Sequence, residues 1–200
     1  MFDKDHVREF TRHSQEWSQE WNRETLLQYL TECAIAYEEV EHGPVYTMAE
    51  SAALGIGISG CRCKNLLVQG KKGSHRFLVV THADSSIDLA ALGQILGVGR
   101  LSFCAPEEMQ QALQVAPGAL SPLSLIADAG AKKFRLLMDE RLRANAAFLF
   151  HPLVNTSTIF IGAHDLKKFV GSTGHTVEYV GMPLRQPQAQ VDKRDSSQKN

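Results

Sequence analysis

The chain has 200 residues, a formal net charge of −1, and 44% hydrophobic and 22% charged residues. That length fits one domain with a sizeable core, or one domain with an appendage. A balanced charge excludes a nucleic-acid footprint spread over the whole surface, so any RNA contact must be local, and no apolar run approaches the roughly 20 residues that cross a bilayer.

The start, Met1 to His6, lacks a basic cluster followed by an apolar stretch. No secretory leader is expected, and the expected compartment is the cytoplasm. Val7, Phe10, Ser14, Trp17 and Trp21 follow 3-4-3-4 spacing, which predicts a helix with one apolar face. Residues 1–22 are therefore expected to form an appended helix packed on the domain, with a dimer contact as the second reading. A further helix follows Asn22-Arg23, with Leu26, Leu27, Leu30 and Cys33 inward, and residues 36–41 read as an edge strand. Gly43-Pro44 breaks it, and Thr47-Met48-Ala49-Glu50 is a capping box opening a short helix.

Cys61 to Gln69 and Arg76 to His82 read as a hairpin around Gly70-Lys71-Lys72-Gly73. Asp88 to Leu96 is a helix ended by Gly97, Leu101 to Cys104 a short strand, and Pro106 to Leu113 a helix with proline at its first position. Strands are expected at Phe134–Met138, Ala147–Phe150, Thr158–Ile161 and Thr176–Val180, with a helix at Asp165–Val170. Interleaved strands and helices with a hairpin predict an α+β (mixed α/β) domain over residues 23–182, its mixed, largely antiparallel sheet surrounded by helices. Residues 183–200, rich in Gln, Ser, Lys and Asp, are expected to be a disordered tail.

Dinucleotide, Walker, nucleophile-elbow and His-Glu-x-x-His patterns are absent. The four cysteines do not form a disulfide framework and are expected to be reduced. Cys61 and Cys63 are assigned to opposite faces of their strand, with no histidine placed beside them by the sequence. They lack a second ligand pair, so neither a metal nor another cofactor is expected. Lys71-Lys72, Lys132-Lys133-Arg135, Arg141/Arg143 and Lys167-Lys168 can supply local RNA contacts or simply a solvated surface.

Four places can carry chemistry. Lys64 shares a strand face with Leu66 and Val68, which suits either a snorkelling surface lysine or a cation aimed into a pocket. Gly118-Ala119-Leu120-Ser121-Pro122 is either an ordinary turn or a loop whose N–H groups hold a carboxyl or phosphoryl oxygen. His151-Pro152-Leu153-Val154-Asn155-Thr156 sets a polar cluster at a strand end, either a core histidine with a turn or the lining of a site. Glu41 to Thr47 is partly explained by the capping role of Thr47.

Taken in order, Glu-x-x-His-x-Pro-Val-Tyr-Thr, Cys-Lys-Asn-Leu-Leu, Gly-x-x-x-Pro, His-Pro-Leu-x-Asn-Thr and Asp-Leu resemble the prolyl-tRNA editing family, the YbaK/ProX superfamily, over about Glu24 to Val180. The similarity is greatest to the free-standing deacylases that act on alanyl-tRNA for proline. The resemblance implies metal-free hydrolysis of mischarged aminoacyl-tRNA. Its essential lysine falls on Lys64, its loop on Gly118 to Pro122 and its pocket histidine on His151. Lys64, Gly118 and His151 are thus the catalytic candidates. Ala119, Leu120, Ser121, Pro122, Asn155, Thr156, His42, Tyr46 and Thr47 are candidates for substrate contact. The implied partner is the acceptor end of a mischarged tRNA, delivered by prolyl-tRNA synthetase or an elongation factor, with no membrane and no DNA. Two rivals stay open: the same chemistry on cysteinyl, seryl or threonyl esters, and a non-catalytic tRNA- or synthetase-binding module.

Overall fold

The computed structural model describes residues 20–45, 59–73 and 75–185. The appended helix before Glu20, the capping box at Thr47 and the tail from residue 186 lie outside the described residues, as do Tyr46 and Thr47. Helix α1 (Arg23–Glu32) starts at a reciprocal cap: Asn22 accepts from the Thr25 N–H, and the Thr25 hydroxyl accepts from the Asn22 N–H. It buries Leu26, Leu30 and the following Cys33 as expected, but Tyr29 lies on that face too and Leu27 sits at its margin. The Tyr29 ring meets Trp21 and Phe169 edge to face, and its hydroxyl bonds Ser172 Oγ at 2.9 Å.

The strands are β1 (Tyr37–Glu41), β2 (Cys61–Gln69), β3 (Arg76–His82), β4 (Ser102–Phe103), β5 (Phe134–Asp139), β6 (Ala147–Phe150), β7 (Ser157–Gly162) and β8 (Val177–Val180). The other α-helices among the described residues are α2 (Leu89–Ile95), α3 (Pro106–Leu113) and α4 (Ala163–Ser172). One eight-stranded sheet runs β1-β7-β6-β2-β3-β5-β8, with β4 on β2. It is mixed: β1–β7, β6–β7, β2–β3 and β2–β4 are antiparallel, while β2–β6, β3–β5 and β5–β8 are parallel.

Alternation along the strands sends residues to two cores. Leu67, Leu78, Val80, Leu136 and Met138 face the larger one, under α1, α3 and α4. Val68, Phe77, Val79 and Leu137 face the smaller one, under α2.

The feature that makes a site is a split in the sheet. Strand β6 pairs with β2 only at Cys61 and Arg62, and β4 pairs with the same edge only at Val68 and Gln69. From Cys63 to Leu67 no strand among the described residues lies on that edge. Strand β6 ends at Phe150, before Pro152, which has no N–H to continue a ladder.

Candidate functional site

The gap beside β2 is bridged by the Gly118 loop. Asn65 Nδ2 donates to the Leu120 carbonyl at 2.9 Å, and Ser121 Oγ donates to the His151 carbonyl at 2.7 Å. The loop is thereby tied to β2 on one side and to the end of β6 on the other. Ala119, Leu120, Ser121 and Pro122 are buried, while Gly118 is exposed. The Ala119 N–H is spent on the Ala116 carbonyl at 3.1 Å. Those of Gly118, Leu120 and Ser121 have no partner among the described residues. Gly118 has φ +92°, outside the range L-residues adopt without strain, and Val45 O and Asn155 Nδ2 stand where a β-carbon would point.

Asn155 is a brace. Its Nδ2 donates to the Val45 carbonyl and its own carbonyl accepts from the Val45 N–H, both at 3.1 Å. Thr156 is exposed and offers its carbonyl to the His42 N–H at 2.9 Å. These bonds bring the segment after β1 against the segment after β6. Leu153, between them, is buried with φ 65°, a left-handed backbone unusual for leucine and held by this packing.

The segment pairing sets His42 and His151 side by side, ring centroids 5.8 Å apart. Hydrogen-bond direction fixes both tautomers. The carbonyls of Gly43 and Ser157 can only accept, so His42 Nδ1 and His151 Nδ1, each 2.7 Å from one of them, carry the protons. Thr158 Oγ1 then donates to His42 Nε2 at 2.8 Å. His151 Nε2 is left as a lone pair with no partner among the described residues. Burial pushes the His151 imidazole below the ordinary histidine range; the Ser157 carbonyl opposes that shift and His42 adds to it. The ring is therefore held neutral at pH 7.

Lys64 occupies the other face of β2 from Asn65. It stands across from Thr81 with Leu66 and Val68 on its own side, as the alternation predicts, and Nζ donates to the Ser85 carbonyl at 2.7 Å. No hydrogen bond links it to His151 or to the Gly118 loop. Of the sequence candidates, His42, His151, Asn155, Thr156 and the Gly118 loop form one connected cluster. Lys64 joins it through its chain neighbour Asn65. Sequence reasoning missed Asn65, although it lies in the Cys-Lys-Asn-Leu-Leu run; its Oδ1 is a buried acceptor without a partner among the described residues. Thr158 and Ser157 were also missed. Ser157 Oγ bonds Glu39, which Arg23 holds at 2.7 Å, giving the motif glutamate a structural role.

One expectation about the cysteines fails. Residues i and i+2 of a strand share a face, so Cys61 and Cys63 lie on the same side of β2, with Cys63 Sγ 3.8 Å from the Cys61 carbonyl. A histidine does lie beside one of them, with Cys61 Sγ 3.7 Å from His82 Nδ1. Burial raises both thiols above the ordinary range, which opposes a thiolate nucleophile. No cluster of three or more His, Cys, Asp or Glu suited to a metal occurs among the described residues. No helix among them is long and apolar enough to cross a membrane.

The sequence matches the family described as Aminoacyl-tRNA editing domain over residues 42–169. It is 31% identical to the prolyl-tRNA editing protein ProX of Acetoanaerobium sticklandii over 158 residues, 79% of this chain and 96% of that one. It is 36% identical to the prolyl-tRNA synthetase associated domain-containing protein 1 of Mus musculus, covering 76% of this chain and 92% of that one. Among solved structures, a candidate trans-editing enzyme for prolyl tRNA synthetase superposes with a TM-score of 0.61 at 20% identity, covering 84% of this chain and 99% of that one, a likeness of fold.

Proposed function

This chain belongs to the aminoacyl-tRNA editing domain family, and on that premise we propose that it hydrolyses the ester of mischarged tRNA, with alanyl-tRNA for proline as its substrate. The observation that carries the reading is the loop in the sheet split. Among the described residues the backbone N–H groups of Gly118, Leu120 and Ser121 have no partner, the Ser121 hydroxyl ties that loop to the His151 carbonyl, and His151 Nε2 has no partner either. An aminoacyl ester is already activated, so positioning and oxyanion stabilisation matter more than a strong nucleophile. The loop N–H groups polarise the ester carbonyl. Water adds to that carbon, and the tetrahedral intermediate expels the terminal ribose oxygen, which takes up a proton, giving free amino acid and uncharged tRNA. His151 Nε2 accepts a hydrogen bond from the attacking water or from the substrate amino group, with Asn155 and Thr156 shaping the pocket. Lys64 holds the terminal nucleotide, and the free ribose hydroxyl helps to orient the water.

Specificity is that of a second sieve. A synthetase pocket rejects an amino acid one methylene smaller by only about 1–3 kcal/mol, and a smaller downstream pocket admits alanine while excluding proline by clash. The names of the relatives support prolyl-tRNA synthetase as the delivering partner. In domain terms we take residues 23–182 as the deacylase unit; the family match spans residues 42–169 within it.

The test is deacylation of alanyl-tRNA for proline beside prolyl-, seryl- and cysteinyl-charged controls, after chelation, with wild type and Lys64→Ala. Loss of alanine alone, in wild type alone, is the expected result. Hydrolysis of another ester would move the specificity. Inertness toward every ester would overturn the enzyme reading in favour of a binding module.

A further inference from the structure

A chain of polar contacts runs behind Lys64, and the proposed reaction does not account for it. Thr81, across from Lys64 on β3, donates Oγ1 to Asp139 Oδ2 at 2.9 Å. Asp139 is fully buried at the end of β5, where it caps the following turn. Its carboxylate takes the Arg141 N–H and Nε at 3.0 Å, and Nη2 in a closer contact. The same Nη2 donates to Ser85 Oγ at 3.1 Å, and the Ser85 carbonyl accepts from Lys64 Nζ at 2.7 Å. Ser85 lies in the turn after β3, its N–H on the His82 carbonyl at 3.0 Å.

Among the described residues no carboxylate pairs with Lys64, so one carbonyl is all that holds its ammonium. A lysine head on a four-carbon stem is mobile, whereas a guanidinium is a rigid planar fork. The fork here is locked on a buried carboxylate and reaches across to the one residue that holds the lysine. We propose that Arg141, fixed by Asp139, is a positioning residue that aims Lys64 through Ser85. The inference rests on the reading of Lys64 as the substrate-facing cation.

Two measurements on the full chain test it. The first is the acylation rate of Lys64 by an amine-reactive reagent, read by peptide mass spectrometry with exposed Lys167 as internal reference. Arg141→Ala is expected to accelerate Lys64 several-fold and leave Lys167 unchanged. Ser85→Ala, which keeps the carbonyl, should move Lys64 in the same direction by less. The second is deacylation kinetics: Arg141→Ala should lower kcat on the order of tenfold with little change in KM, as misplacement of a positioned group does. In a Lys64→Ala background it should cost nothing further, because the two residues act as one unit. Arg141→Lys should recover only part of the rate.

An unchanged Lys64 acylation rate in Arg141→Ala overturns the inference whatever the kinetics. So does an accelerated rate with kcat unchanged in an active enzyme, or an equal kcat loss in both backgrounds. If wild type deacylates nothing while Lys64 is released by Arg141→Ala, the relay stands and the enzyme reading falls.

Discussion

Gly118→Ala separates loop geometry from general stability when paired with Gly97→Ala. Gly97 has φ +68° and open space where a β-carbon would go, so alanine there sits inside the left-handed region at a cost of about 1 kcal/mol. Gly118 has φ +92°, beyond that region, with Val45 O at 3.4 Å and Asn155 Nδ2 at 3.7 Å from the new carbon. The strain there is about 2–3 kcal/mol. Alanine also narrows the unfolded ensemble, offsetting roughly 0.4–1 kcal/mol in both variants. The net loss is then about 2 kcal/mol for Gly118→Ala and under about 0.5 kcal/mol for Gly97→Ala. With a urea slope of about 2 kcal/mol/M, the midpoints fall by about 1 M and under about 0.3 M. Relief of the strain rotates the peptide groups of the loop, and loss of one oxyanion donor costs on the order of 10²-fold in kcat. Urea unfolding and single-turnover deacylation read the two effects. Equal midpoints for the two variants would refute the backbone argument. A destabilised Gly118→Ala with wild-type turnover would refute the assignment of the loop to the reaction.

Three further outcomes follow from the same contacts. The pKa of His151 is lowered on folding, so between its folded value and about 6.5 the unfolded chain binds more protons and stability rises with pH. That stability is full above about 6.5 and is lost as pH falls through the folded value. His151→Gln should flatten the urea midpoint between pH 7 and 5, and wild-type deacylation should fall over the same window. Asp128, buried, accepts the Lys133 and Phe134 N–H groups at 3.0 and 2.8 Å and contacts His175 Nε2 at 3.2 Å. Asp128→Ala strands those donors and should cost on the order of 3 kcal/mol by urea unfolding; a loss under about 1 kcal/mol would contradict the count. Burial raises the Cys63 thiol and pushes Cys104 up to about 12. At pH 8 the native chain should therefore leave both unalkylated by iodoacetamide, while in urea all four cysteines react.

What the sequence made legible is what short-range pattern determines. The hairpin Cys61–Gln69 with Arg76–His82, the helix Pro106–Leu113 and the strand Ala147–Phe150 are found at the bounds read from alternation and proline placement. The parallel contact of β2 with β6 joins residues more than 80 apart, and no local pattern encodes it. Arg141 and Arg143 read as surface charge and both are exposed, but a run of charged residues does not reveal which of them already has a partner. The structure gives Arg141 to Asp139 and sets Arg143 over the Tyr179 ring at 3.9 Å. Arg135 is likewise occupied, paired with Glu178 and lying over Phe77. That leaves fewer free cations for RNA than the sequence offers.

The split in the sheet explains why Lys64 and Asn65 are adjacent in sequence yet reach different groups. Pairing with β3, Cys63 to His82 and onward, fixes the register of β2, and alternation then turns Lys64 toward Ser85 and Asn65 toward Leu120. Neither contact requires the far edge of β2, which β6 has left. Pro152 ends β6 one residue after His151, so the histidine emerges where the strands diverge and where the Gly118 loop enters to take its carbonyl. A shift of β2 by one residue would exchange the faces of Lys64 and Asn65, breaking the tie to the loop and the tie to Ser85 together. The hairpin register and the proline after His151 are therefore as necessary to this site as any side chain within it.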